Sequence, residues 1–502
     1  MSRPLVGDQQ DGFGGGVNRT ADESQLAPNE VRRAENAVLT EYGAAVKRGG
    51  SRRLNASALN STNAIQNGFA WRKDDGSAEE LVICGGKLLT ATYGTPPVTF
   101  TDEGAFVASS GTPSFAAFRD GSGECVYVAD GGPLNKWDGT TATANLSSTP
   151  NATQVAVYNQ RLYGITGDSQ TLYWSTINNG DSLGVVANGG GFAIIRTFGD
   201  QVLTALAPVR GSLLVFHVSG ISRFTGLTLD DINIAAGTEG VTSDVGTVAP
   251  RTVVSLESEV LFLSERGFYS TDGGPPQPIS TAIDIDVAGL SASALAASFG
   301  VHFRSRREVW FYVSGLGFYV FNYRLRKWTG PQAAGLLDPV TTCGWESQDT
   351  SGIPIVLLGD EEGFVKRLFY PGTYRDDVAS DGTGGTSYEM TLELRRFFCG
   401  AFETTKTWRW GWLLFDPRNT DDVVVEWSTD YGSGSYTLPM AGSAWYTGTW
   451  GLGTWGGAGV AGYRIPLGGR SRFADVTIRD NGDAGALYSR FTIQGHDVGP
   501  RG

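Results

Sequence analysis

The chain is poor in the residues that carry most enzyme chemistry, with four cysteines and three histidines in 502 residues. Cys84, Cys125, Cys343 and Cys399 form no Cys-x-x-Cys pair. That argues against a disulfide framework or a zinc site and makes ordinary buried thiols the expectation. His217, His302 and His496 are isolated from one another in sequence, and His217 lies in an apolar run, the setting of a core residue rather than a base. No Gly-x-Ser-x-Gly, His-Glu-x-x-His or P-loop stretch occurs, so acyl transfer, zinc hydrolysis and P-loop chemistry have no foothold. No apolar run is long enough for a membrane helix, and Met1–Asn18 lacks the apolar centre of a signal peptide. Export by the usual route is therefore not expected. The Asn-x-Ser/Thr triplets at Asn18, Asn55, Asn60, Asn145 and Asn151 then read as products of composition.

Charge is scarce as well. Charged residues make up 18% of the chain, low enough that partners are expected to cover part of its surface. The net charge of −13 argues against a protein that grips nucleic acid by neutralising phosphates. Acidic clusters at Asp74-Asp75, Asp120–Glu124, Asp360–Glu362 and Asp421-Asp422 follow no calcium-loop order and sit where turns are expected.

Abundant, by contrast, are glycine (70 residues) and strand-like runs of Val, Phe, Tyr and Trp. Glu259–Gly274, EVLFLSERGFYSTDGG, reads as a β-hairpin: apolar residues alternate around a turn at Glu265–Gly267. Comparable hairpins centre on Gly86, Gly131, Gly167, Gly220, Leu316 and Glu361. One hairpin and one polar connector per unit, at a period in the forties, is the size of a four-stranded propeller blade. Short strands with frequent turns also fit a pair of β-sandwiches.

The expected fold is all-β: a β-propeller-like domain of roughly six to eight blades, a C-terminal β-sandwich and a mostly extended N-terminal segment. Residues 1–65 are expected to form an N-terminal arm, with a glycine-rich mobile opening at Phe13–Asn18. A short helix from Glu30 to Asn36 and a hairpin turning at Tyr42-Gly43 follow, then the basic cluster Lys47, Arg48, Arg52 and Arg53. Residues 66–375 hold the propeller, with a helical turn or two in Leu290–Phe299. Residues 376–386, DDVASDGTGGT, read as a linker. In residues 387–502, Tyr388, Met390, Leu392 and Leu394 alternate strictly with polar residues, and Phe473–Ile478 is expected to pair with Ala486–Ile493 as a closing hairpin. Ser443–Gly457 carries Trp445, Tyr446, Trp450 and Trp455 on glycines. Such a loop is expected to contact something, whether the sandwich or a partner.

Ser428–Gly432 and Ser270–Gly274 match the Ser-x-Asp-x-Gly core of the Asp-box turn of sialidase-like propellers, without the tryptophan that completes it. That turn is structural. A glycosidase further needs two carboxylates across a sugar, and the sequence nominates no such pair.

FGGGVN at Phe13–Asn18, then the expected short helical stretch with Asn36, then YGAAVKRGG at Tyr42–Gly50 looks like the opening of bacteriophage tail nozzle proteins, the tail tubular protein B family of short-tailed phages. The resemblance continues in Ser243–Gly274, in TTKTWRWGWLLF at Thr404–Phe415, in WSTDYG at Trp427–Gly432 and in the closing Gly495–Gly502. It covers the two ends and the middle, and the chain is shorter than the long nozzle proteins of that family. It implies a structural virion protein, assembled in the host cytoplasm, that forms a hexameric ring below the head-to-tail adaptor. Such a ring conducts and helps retain genomic DNA before ejection, and meets tail fibres and the host envelope on infection. It implies no catalysis and no cofactor. Phe13, Gly15, Asn18, Lys47, Arg48, Arg52 and Arg53 would then be candidates for docking on the adaptor, and the tryptophan loop for contact with a partner. An acidic lumen would suit passage, since like charge keeps phosphates from adhering. The alternative is a tail-tip or fibre module that binds host surface glycan, and more remotely a propeller glycosidase.

Overall fold

The computed structural model describes residues 5–40, 42–61, 63–108, 111–225, 238–332, 336, 338–416, 423–438, 461–482 and 486–499. Each of the seven hairpins from Gly86 to Glu361 is the central hairpin of a four-stranded antiparallel unit. In the first sheet Ile65–Arg72, Ala78–Cys84, Lys87–Ala91 and Thr101–Ala105 lie side by side. The second, third, fourth and fifth sheets begin with Ser114–Asp120, Gln154–Tyr158, Leu203–Val209 and Val254–Ser255. The sixth begins with Phe299–Phe303 and ends with Lys327–Gln332. The seventh comprises Thr341–Gln348, Pro354–Asp360, Val365–Leu368 and, as its outer strand, Ser51–Arg53 from the N-terminal segment. Six of these sheets stand alone, and the sixth in the ring continues outward into a larger sheet.

The first strand of each sheet packs beside the first strand of the next, and Thr341–Gln348 returns to Ile65–Arg72, so the sheets close as the blades of a propeller. Strand alternation explains the closure: it sends neighbouring residues to opposite faces, each facing a different blade. In the first blade Leu81 and Ile83 join Val126 and Val128 of the second, while Val82 and Cys84 join Cys343 and Leu357 of the seventh. An apolar cluster of this kind fills every seam around the ring. At the hairpin of the fifth blade, Gly267 has φ +118, and a Cβ there would meet Ser280 Oγ at 2.4 Å, so the turn requires glycine.

The C-terminal strands form two facing sheets. One runs Ala45–Lys47, Leu487–Gly499, Thr405–Asp416, Ala461–Pro466, with Leu5–Gln10 also paired to Leu487–Gly499. The other runs Glu30–Glu35, Met390–Leu394, Ala474–Asp480, Val423–Thr429, Gly432–Leu438. Leu413, Phe415, Phe491 and Ile493 of the first meet Leu392, Leu394, Val425 and Ile478 of the second in one core, a β-sandwich.

Four expectations are corrected. The stretch from Glu30 is a strand rather than a helix, because Glu30–Glu35 pairs with Met390–Leu394 and buries Val31 and Ala34; this long-range pairing outweighs local capping chemistry. The N-terminal segment is no free arm. Its strands complete both sheets of the sandwich and the seventh blade, and Ala34 opposite Gly330 joins the sandwich to the sixth blade. Residues 376–386 are not an open linker. Arg375–Asp376 pairs with Thr386–Ser387, and Asp376, Val378 and Ser380 are buried. Finally, Ala474–Asp480 and Leu487–Gly499 lie in opposite sheets. Instead of a hairpin the chain crosses the core, with Tyr488 Oη donating to Asp480 Oδ2 at 2.8 Å. The hairpin at Tyr42-Gly43 and a helix at Ala292–Ala297, capped by Ser291, stand as expected.

Candidate functional site

The basic cluster lies where the N-terminal segment passes from the sandwich to the propeller. Arg48 and Asp376 are both fully buried. Arg48 Nη1 donates to Asp376 Oδ1 at 2.8 Å, Nη2 bonds Oδ2, and Nε donates to Asn36 Oδ1 at 3.1 Å. The guanidinium also lies 3.9 Å from the centre of the Tyr388 ring. Burial disfavours this charge, but Asp376 outweighs it and the Arg48 pKa is raised. Lys47 is buried too, and its Nζ donates to Gly482 O at 2.7 Å.

The same logic extends into the seventh blade. Arg53 Nε donates to Asp377 Oδ1 at 2.8 Å, and Lys366 Nζ lies 3.0 Å from that oxygen and 2.9 Å from Asp360 Oδ2. Burial would raise the Asp377 carboxyl; the Arg53 and Lys366 cations hold it below the usual aspartate range. Arg52 donates to Ser380 O at 2.6 Å and lies over the Tyr370 ring.

These residues therefore clasp the chain to itself and are not presented as an adaptor-docking patch. The same holds for the glycine-rich opening. Phe13 is fully buried in the sandwich core, and a Cβ on Gly15 would meet Asn29 O at 2.6 Å. Asn18 Nδ2 donates to Glu30 Oε2 at 3.1 Å. Trp445, Tyr446, Trp450 and Trp455 lie outside the described residues.

The remaining chemistry is sparse. All four cysteines are buried, and burial pushes their thiols up to about 11 at Cys84 and about 12 at Cys125, Cys343 and Cys399, too high for a reactive thiolate. His217 is buried, its Nε2 2.9 Å from Ser222 Oγ. His302 Nδ1 is 3.5 Å from Glu346, but burial and Arg304 push the imidazole down to about 4, so it is uncharged at neutral pH. Asp272 accepts from Gly274 N at 3.1 Å, as an Asp-box-like turn requires. Among the described residues no group of His, Cys, Asp and Glu could hold a metal ion.

What the sequence did not single out is the centre of the propeller. The seven first strands and their adjoining loops surround a cavity of about 790 Å³, lined by residues from every blade. Arg251 projects there from the turn Pro250–Thr252; its Nη1 donates to Thr342 O at 3.0 Å and Nη2 to Ala297 O at 2.7 Å. On the side of the first three blades are Asp130, Asp168 and a parallel pair of rings, Phe69 of the first blade and Phe115 of the second, 5.5 Å apart. Arg251 lies within Ser243–Gly274, a stretch of the resemblance, but nothing there marked it as a residue that lines a cavity.

No protein-family model and no curated protein matches the chain. Solved structures do. One is PorZ, an essential bacterial surface component of the type-IX secretion system of Porphyromonas gingivalis, at 13% identity and TM-score 0.40 over 69% of this chain and 43% of that one. The extracellular domain of the putative one component system BT4673 from B. thetaiotaomicron matches at 10% identity and TM-score 0.39, over 85% of this chain and 59% of that one. The WD40 repeats of RRP9 match at 9% identity and TM-score 0.41, over 64% and 99%. Likenesses this remote carry no argument about function, and the propeller rests on the strand order described above.

Proposed function

We propose that the chain is a structural subunit of a short-tailed phage tail, a nozzle protein whose copies surround a passage for DNA below the head-to-tail adaptor. One observation carries this reading. Apart from the closing Gly495–Gly502, the stretches that resemble the nozzle family, scattered along the sequence, share a single apolar core. Phe13 and Val17, Ala45, Leu261 and Phe268, and Leu413 and Phe415 belong to one cluster, with Trp427 packed against it. Phe13 N donates to Gly43 O at 2.7 Å, and Trp408 pairs with Gly495. Motifs that meet in one place constrain one another, which random matches have no reason to do.

Three further features support the reading. The N-terminal strands weld propeller and sandwich, as suits a part that bears load. The low charge suits extensive contacts between neighbours, and a closed ring needs two different faces that repeat around an axis. A net charge of −13 suits a lumen from which phosphates are repelled. The reading assigns no catalysis and no cofactor, and it places the protein in the virion.

The test is negative-stain imaging of the purified full chain, alone and mixed with the adaptor. Closed rings with a central passage are expected. A chain that stays monomeric under both conditions refutes the proposal.

A further inference from the structure

Among the described residues, Arg251 is held by neutral partners only. Its two terminal nitrogens bond the carbonyls of Thr342 and Ala297, and its guanidinium lies 5.6 Å from the Phe299 ring centre. Among the described residues no carboxylate forms an ion pair with it, in contrast to Arg48 and Arg53. Burial lowers its pKa, the mark of a cation short of countercharge. A partly desolvated guanidinium beside an open cavity is a site for an oxyanion.

The surroundings narrow the ligand. Among the described residues, the charged ones that line the cavity are Arg251, Asp130 and Asp168. Two acids to one base disfavour a dianion such as a phosphate ester and favour a ligand with a single negative charge. The Asp130 oxygens are taken by Ala108 N at 2.8 Å and Gly132 N at 3.0 Å, while the exposed Asp168 can accept from a ligand's hydroxyls. Thr204 Oγ1, at the same cavity, is buried without a hydrogen-bond partner. The partly exposed rings of Phe69 and Phe115 offer an apolar surface for the C–H face of a small ring. One carboxylate, several hydroxyls and a flat apolar face describe an acidic sugar.

We propose that the central cavity of the propeller binds an acidic sugar unit, its carboxylate on Arg251, its hydroxyls toward Asp168 and its ring against Phe69 and Phe115. The site lies within one subunit and stands whether or not copies of the chain form a ring.

Calorimetric titration of the full chain tests it, with glucuronate, its neutral amide glucuronamide and inorganic phosphate as probes. Glucuronate is expected to bind saturably, and glucuronamide at least about tenfold more weakly, since it forfeits the charge-assisted bonds. Phosphate is expected not to displace glucuronate. Arg251→Gln should abolish binding and Arg251→Lys restore part of it, with thermal unfolding checked for both. If Arg251→Gln fails to fold, the comparison on the unaltered protein decides. No saturable glucuronate binding, equal binding of glucuronate and glucuronamide, or displacement by phosphate each overturns the proposal.

Discussion

The seventh blade has two edges that treat buried charge in opposite ways. Along its outer edge, where Ser51–Arg53 joins, each carboxylate has a cation: Asp376 has Arg48, and Asp377 has Arg53 and Lys366. At its seam with the first blade, buried Glu80 has neutral partners, the Trp345 indole donating to Oε2 at 2.9 Å and the Ser347 hydroxyl bonded to Oε1. Gly68 makes room for that indole, since a Cβ there would stand 2.5 Å from the Trp345 ring. The outcome follows the partners. Asp377 is held below the usual aspartate range, whereas burial pushes Glu80 up to about 7, despite its hydrogen bonds to Ser347 and Trp345. A buried carboxyl keeps its charge only where a cation is supplied with it.

Breaking the outer edge is expected to have the largest effect. Arg48→Met strands Asp376 in the interior and should cost about 3–5 kcal/mol in denaturant unfolding. The double variant Arg48→Met/Asp376→Leu should recover most of that loss, because it removes the uncompensated charge as well. A double variant as unstable as the single one would show that packing, and not charge, governs this edge.

At the inner seam the prediction concerns pH. The unfolded chain releases the Glu80 proton near 4.5, while the folded protein retains it up to about 7. Between those values unfolding releases a proton, so rising pH favours the unfolded state. Glu80 should subtract up to about 1.4 kcal/mol of stability per pH unit across that window and nothing further above it. Urea midpoints measured from pH 4.5 to 8 should therefore fall less steeply in Glu80→Gln than in the unaltered protein.

The smallest effect sharpens the contrast by removing burial. Arg119 and Asp74 form an ion pair on the surface with both side chains mostly exposed. Arg119→Ala should change stability by less than about 1 kcal/mol, and salt should erase even that. A loss comparable to that of Arg48→Met would mean that solvent exposure is not what separates the two pairs.

How much of this was legible beforehand follows from the range of each interaction. The seven hairpin centres, Gly86 to Glu361, all fall in the turn between the second and third strands of successive blades or, at Gly267, on the residue that ends it. Glycine and aspartate turns between alternating strands are local chemistry, which a sequence displays openly. Tyr388–Leu394 was readable for the same reason. Glu30–Glu35 was not, because its partner Met390–Leu394 lies far away in sequence and the local residues favour capping a helix. The basic cluster and the acidic DDVASDGTGGT stretch were both visible, but no periodicity reveals that Arg48 meets Asp376 and Arg53 meets Asp377. Read separately, one looks like a docking patch and the other a linker. The cavity was hidden for a further reason: every blade contributes to it and no single blade holds it.

The outer strand of the last blade is made long before the strand it pairs with. Val365 N donates to Asn55 Oδ1 across 310 residues, and Asn36 reaches Glu389 across 353. Loop-closure entropy grows only slowly with length, so such distant joins cost little at equilibrium; they cost time, because nothing local rewards them on the way. Glu30–Glu35 and Ser51–Arg53 must wait for partners far along the chain, and until they pair neither the wheel nor the slab beside it is finished. Translation order thus makes these strands, made before their partners, the last pieces to be fitted, like a keystone cut before the arch is raised.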